Sequence, residues 1–479
     1  MGFVTPGKFK DVRAFREVWR ERAPDLGCDL ELDPAGPLSR PLCFGSRVIG
    51  NRFAIHPMEG WDGTPEGLPS EHTLRRWGRF GMSGAKLIWG GEAFAVEPDG
   101  RANPNQLHLN EAADSRGGLS RLLLELKREH EQACGDTSDL YVGLQLTHSG
   151  RYARPDERGP RPRIAFRHPL LDPRLGIETD APVQSDGELE AIGEQYVAAA
   201  KVAQQVGFDF VDVKCCHGYL LHELLAARSR PGPYGGSLEN RTRLLCRIIE
   251  EIRRECAGLE IGVRVSIGDI FPFSARPEDG VGEALQLERF VPYEFGFGVD
   301  PHDPLRIDLT EPFELLERLA GLGIRLVNLS LGSPYTCPHL QRPAAFPPSD
   351  GYLPPEDPLL SVAEHLRTAR KCRQAQPGMI LVGTGYSYLQ EWLPHVAQHE
   401  VGAGHVDFVG LGRMALSYPE LPRDVLAGTF PNRKRICRTF SDCTSAPRGG
   451  MISGCYPLDE HYRARPEAKV LSIRRGRRG

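Results

Sequence analysis

Nothing in this 479-residue chain offers an apolar run long enough to cross a bilayer. The opening stretch MGFVTPGKFKDVRAFREVW interleaves charges with apolar residues and has no continuous apolar core, so it reads neither as a signal peptide nor as a membrane span. It starts like a myristoylation site, but Pro6 stands where Ser or Thr is needed. An excess of positive charge is missing as well. Fifty-nine Lys and Arg against 63 Asp and Glu leave a net charge of −4, and no broad cationic field points to nucleic acid. The basic end SIRRGRRG (472–479) is short and reads as a solvated terminus. Cysteine is sparse for a disulfide scaffold: there are twelve, and Cys215 and Cys216 are adjacent, which suits a reducing cytoplasm. The expectation is a cytoplasmic protein whose partner is a small molecule, not nucleic acid or a membrane, with homo-oligomerisation left open.

What the chain does have is a repeating order of short apolar runs, each followed by a helical pattern. The runs are RFAIH (52–56), KLIWGG (86–91), YVGLQL (141–146), FDFVDV (208–213), EIGVRVS (260–266), RLVNLSL (325–331), MILVGTG (379–385) and DFVGLG (407–412). Most are continuously apolar, as parallel strands covered on both faces are. In SLENRTRLLCRIIEEIRREC, Leu245, Ile248, Ile249 and Ile252 form one stripe, with Ser237 as N-cap. Eight strand-then-helix units predict an α/β fold, a (β/α)₈ barrel. A doubly wound sheet is the rival, but no G-x-G-x-x-G follows the first strand. Residues 1–45 are expected across the barrel floor or side, and 147–185 and 268–310 as long loops after strands three and five. The domain expectation is one barrel domain over 1–430 and an extension, 431–479, packed on it or trailing from it.

Barrel chemistry sits at the C-terminal strand ends. Those ends carry Met58 and Glu59 after the first strand and Ala93 after the second. Gln145 is in the third, Lys214 and His217 end the fourth, and Arg264 is in the fifth. The last two strands end in GTG (383–385) and GLGR (410–413), glycine turns before helices whose N–H groups, with Arg413, suit a phosphate.

These residues carry a resemblance. NRFAIHPM, GLQLTHSGR, HGYLLHELL…YGGSLENR, GVRVS and DFVGLGRMALSYPELP, in that order over roughly residues 45–430, are similar to the motifs of the Old Yellow Enzyme family of FMN-dependent oxidoreductases. The resemblance implies an FMN on the barrel mouth. Gln145 would meet its pyrimidine edge and Arg264 its N1 and C2 carbonyl, where negative charge collects on reduction. Pro57, Met58 and Ala93 would line the ring, and Gly383, Thr384, Gly385, Gly412 and Arg413 would take the phosphate. It implies NAD(P)H as reductant and hydride transfer between flavin N5 and an activated C=C, or the reverse oxidation. The family's substrate-binding pair falls on Lys214 and His217, and its proton-donating tyrosine on Tyr219.

Two departures stand out. The first member of the pair is lysine, where the family has histidine, which predicts a substrate with negative charge near the reacting carbon. Glu59 stands where relatives place Thr or Cys, near flavin O4 and N5, and a lone carboxylate there opposes reduction. A Glu59–Lys214 ion pair is the expected remedy. His148 and His222 read as structural, and Cys215 and Cys216 as packing residues. Some longer relatives hold a [4Fe–4S] cluster after the barrel. Cys437, Cys443 and Cys455 echo that motif, but its opening C-x-x-C is missing, and no cluster is expected. Two rival functions remain at this point: a Schiff-base aldolase or lyase using Lys214, and a flavin-binding protein that has lost turnover.

Overall fold

The structure, a computed structural model, describes residues 3–476; Met1, Gly2 and the last three residues of the basic tail lie outside it. A hairpin of β1 (Leu42–Phe44) and β2 (Arg47–Ile49) leads into β3 (Phe53–Ile55). The second barrel strand comes in two pieces, β4 (Leu87–Ile88) and β5 (Ala93–Ala95). Next come β6 (Tyr141–Thr147), β7 (Phe210–Cys215) and β8 (Glu260–Ser266), and a minor hairpin of β9 (Ser274–Ala275) and β10 (Gly282–Glu283). β11 (Leu326–Ser330), β12 (Ile380–Gly383) and β13 (Phe408–Leu411) complete the set. All pairings in the main sheet are parallel, and it closes through β13 with β3 and β4 with β6. Eight strand positions and the helices between them make a (β/α)₈ barrel, as the strand-helix repeat predicts.

The break between β4 and β5 has a steric cause. A Cβ on Gly90, whose φ is +148°, would lie 2.7 Å from the Gln145 amide nitrogen, so the second strand approaches β6 more closely than a side chain allows. The helix Leu238–Glu255 starts at Ser237, whose hydroxyl accepts the Asn240 N–H, and buries Leu245, Ile248, Ile249 and Ile252. Each such side chain contributes about 1.5–3 kcal/mol by leaving water.

The N-terminal segment occupies both floor and side. Phe44 and Ile49 of the hairpin join Tyr141, Phe210, Leu326, Ile380 and Phe408, strand-start residues that fill the N-terminal end of the barrel. The helix Val12–Arg22 lies on the flank, where Phe15 stacks on Trp392 with centroids 5.8 Å apart. At the other end of the chain, Arg75 grips Asp459 through two 2.9 Å bonds and Arg438 grips Glu391. These contacts bring residues 443–454 over the C-terminal mouth of the barrel, where they line its cavities. No helix among the described residues is long and apolar enough to cross a membrane.

Candidate active site

Two adjoining cavities, of about 270 Å³ and about 460 Å³, open at the C-terminal mouth. They share Pro57, Glu59, His217, Arg264, Arg342 and Cys443 among their walls. The smaller is bounded by Met58 and by Thr384, Gly385, Gly412 and Arg413 at the ends of β12 and β13. Gln145, Lys214 and Tyr219 face the larger. Two expected residues face neither. Ala93 is buried in β5, where its carbonyl accepts from Gln106, and Gly383 is packed within β12 against Tyr386.

Three arginines at the smaller cavity, Arg264, Arg342 and Arg413, are left with unpartnered N–H groups among the described residues. Arg413 donates to the Pro343 carbonyl at 2.7 Å but its Nη1 has no partner. Arg342 donates to Thr444, and its Nη2 is unpartnered. The Arg264 Nε is also orphaned. Among the described residues none of the three has an ion-pair carboxylate. Burial first, and the neighbouring Arg413 second, push Arg342 down to about 10. Guanidiniums that keep a buried N–H unpartnered call for an anion. The turn at Gly412 is open, since a Cβ there would meet nothing within 4 Å. Beneath it His56 contacts Thr384 Oγ1 and Asn328 at 3.1 Å each.

Arg342 comes from the segment after β11, which sequence reading did not single out; a lone arginine in a Pro-rich loop gives no periodic signal. Tyr335 and Asp350 reach the larger cavity from the same segment. Of the two loops expected at the mouth, 147–185 contributes Arg151, Tyr152 and Arg154. Residues 269–296 of the second form the back wall of a small cavity behind His222.

Asp212 was also missed, although it sits two residues before Lys214 and so on the same strand face. Its Oδ2 accepts from Gln145 Nε2 and its Oδ1 from the Arg264 N–H, both at 2.6 Å. This fixes the Gln145 amide with its carbonyl oxygen free to accept a hydrogen bond. Burial raises Asp212 to about 6.

The expected Glu59–Lys214 ion pair is not formed; among the described residues no carboxylate lies within 4.0 Å of Lys214 Nζ. Instead both act on Tyr219. Lys214 Nζ lies 3.9 Å from the centroid of the Tyr219 ring, and the Tyr219 hydroxyl donates to Glu59 Oε2. Burial depresses Lys214, with Cys216 and Glu59 opposing it from a distance. Burial, then the Glu59 charge, raises Tyr219 well above its usual range. His217 adopts φ +66°, held by its N–H to Ser266 and its carbonyl to Ser333, both 2.9 Å. Its Nε2 meets Ser330 at 2.9 Å and Gln341 at 3.2 Å, and burial keeps the ring neutral. His148 contacts Glu97 at 3.0 Å and His222 lies 3.4 Å from Asp269, both as buried supports. Cys215 and Cys216 are buried.

The loop carrying Glu59 is pinned from below. Arg76 binds Asp62 at 2.9 and 3.0 Å and Glu92 at 2.5 Å, and Glu92 Oε1 accepts the Gly60 N–H. Burial lifts Glu92 from 4.5 to about 7. A carboxyl raised on folding stabilises below its unfolded value, and that contribution is lost as pH rises through the folded one. Glu92→Gln is therefore expected to flatten the dependence of Tm on pH between 4.5 and about 7. An unchanged Tm–pH curve would count against this account.

Comparison with known proteins gives the family. The family described as NADH:flavin oxidoreductase / NADH oxidase matches residues 37–278, just over half the chain. This chain belongs to that family. An NADH:flavin oxidoreductase of Gibberella zeae is 30% identical over 52% of this chain and 61% of its own length. An NADPH dehydrogenase of Geobacillus thermodenitrificans is 26% identical over 80% of this chain and 90% of its own. Morphinone reductase shares the fold with a TM-score of 0.55 and 21% identity, over 84% of this chain and 92% of that one. The chain thus spans less than two thirds of the Gibberella relative and most of the other two. FMN is the cofactor of the NADH:flavin oxidoreductase family, and the unpartnered Arg264, Arg342 and Arg413 fit its anionic groups. The family match ends at 278. Arg342, Tyr335 and the extension over the mouth lie beyond it.

Proposed function

We propose that this protein is an FMN-dependent, NAD(P)H-linked oxidoreductase acting on an activated C=C, or in reverse, of a small substrate carrying negative charge. The observation that carries this reading is the set of arginines at the mouth with buried N–H groups unpartnered and no ion-pair carboxylate among the described residues. Arg342 and Arg413, with the turns at Gly385 and Gly412, would hold the FMN phosphate. Arg264 and the Gln145 carbonyl would hold the pyrimidine edge, with Pro57, Met58 and Glu59 along the ring. When bound, FMN supplies the two-electron exchange with NAD(P)H and substrate.

The remaining work falls to the chain's own side chains. Lys214 and His217 line the substrate cavity from the end of β7. The ammonium supplies a full charge for a carboxylate or an enolate-like oxygen. The neutral His217 ring, clamped by Ser330 and Gln341, keeps a fixed orientation. Tyr219 moves the proton at the carbon that does not exchange electrons with the cofactor.

Purification tests this directly. The protein is expected to be yellow, to release one FMN per chain on heating, and to bleach under NADH or NADPH without oxygen. An anionic enone should then restore the colour. A colourless protein that cannot be reconstituted, or borohydride trapping of substrate on Lys214, would overturn the proposal. Stoichiometric iron and labile sulfide would overturn the expectation of no cluster, about four of each per chain being what a [4Fe–4S] centre needs.

A further inference from the structure

We propose that Glu59, Tyr219 and Tyr335 form a proton relay, with Lys214 as the cation that makes it work, so that Tyr219 exchanges its proton with substrate only in step with Glu59. This rests on the function proposed above and concerns residues that the notion of a single donating tyrosine leaves out.

Three contacts carry it. The Tyr219 hydroxyl donates to Glu59 Oε2. The Tyr335 hydroxyl stands 3.2 Å from that of Tyr219, and the two rings are stacked at 6.2 Å. The Lys214 ammonium lies over the Tyr219 face. Tyr219 itself is buried, whereas Tyr335 is 40% exposed at the mouth. The chain of oxygens therefore leads from the floor of the substrate cavity to solvent. Tyr152 stacks on Tyr335 at 3.8 Å and fixes that outer end.

With Glu59 ionised, the phenol proton is committed to the carboxylate and only a lone pair of Tyr219 faces the cavity. In that state Tyr219 is a proton acceptor. Its oxygen takes a proton from substrate as its own passes to Glu59. In the reducing direction the sequence inverts. Protonated Glu59 gives its proton to the Tyr219 oxygen while Tyr219 gives its own to the substrate carbon; Tyr335 then passes a proton from solvent to the Tyr219 oxygen, which hands one back to Glu59. At each oxygen as many O–H bonds form as break, and the single proton consumed is the one delivered to carbon. A cation over the ring face stabilises the negative charge that Tyr219 bears between the two transfers. Glu59 and Lys214 thus appear together in this chain because each acts on the same phenol from a different side.

The test uses the FMN-loaded full-length chain. In wild type the rate of acceptor reduction should fall as pH rises. In Glu59→Gln that limb should vanish and the rate drop about 10- to 100-fold, within the range a positioned acid supplies. Glu59→Asp, which still carries a proton, should keep the limb. Tyr335→Phe should keep it too, with a larger solvent isotope effect because resupply slows. A readout independent of turnover is the carboxyl region of the infrared difference spectrum between ligand-free and ligand-bound FMN-loaded protein, which should lose one component in Glu59→Gln. FMN content reports whether each variant is folded. A limb that survives in Glu59→Gln overturns the relay, and an unaltered isotope effect in Tyr335→Phe removes Tyr335 from it. Absence of FMN or of any acceptor in wild type would instead defeat the proposed function.

Discussion

Purified Arg342→Met/Arg413→Met protein is expected to be colourless. Among the described residues each arginine has a buried N–H without a partner, and each lines the cavity bounded by the β12 and β13 turns. A charge-assisted hydrogen bond contributes about 1.5–3 kcal/mol, so each single variant should bind FMN on the order of 10- to 100-fold more weakly. In the proposed site the two would contact one dianion, so the double variant should lose on the order of 10²- to 10⁴-fold, less than the product of the single losses if in each single variant the remaining arginine shifts to compensate. Removing a pair of like charges that repel each other should also raise the stability of the FMN-free protein. Titration of apoprotein by FMN and by riboflavin separates the causes. Affinity for riboflavin, which has no phosphate, should hardly change. Equal losses for both ligands would show that the arginines support the fold of the mouth instead of binding phosphate.

Lys214→Ala should retain FMN but lose anionic ligands, again by about 10- to 100-fold. The prediction follows from geometry: Lys214 is buried at 5% exposure, lines the larger cavity and has no ion-pair partner among the described residues. An ammonium so placed has given up most of its water, and a bound carboxylate repays that loss. Lys214→His should restore the pair usual in the family and favour simple uncharged enones. The comparison to make is the ratio of kcat/KM for a carboxylated and an uncharged acceptor in the three proteins. If that ratio and the ligand affinities are the same in all of them, the lysine is a bystander to substrate, and only its position over the Tyr219 ring would need explaining.

The barrel was legible before any coordinates because its signals are local. Eight apolar runs, each followed by a helical stripe, reappear as β3, β4, β6, β7, β8, β11, β12 and β13, most ends within a residue or two, and Ser237 caps the helix that its position predicts. Residues at strand ends were legible for the same reason. Parallel strands of a closed barrel must all end at one mouth, so Gln145, Lys214, Arg264 and Arg413 converge wherever the loops go. Asp212 was within reach of that logic too, by the two-residue period of a strand.

The relations among loop residues could not be read this way. Nothing local links Glu59 to Tyr219 across 160 positions, and charge alone suggested pairing Glu59 with Lys214. The phenol ring that stands between them is a matter of packing. Residues 443–454 lie over the mouth through the anchors that Arg75, Glu391 and Arg342 give the last segment, and Arg342 and Tyr335 reach it from the loop after β11. Loop and extension positions carry no periodicity, and long-range side-chain contacts fix them. What the sequence determined was the scaffold and the floor of the site. The tertiary structure alone decided its walls and which groups share a proton.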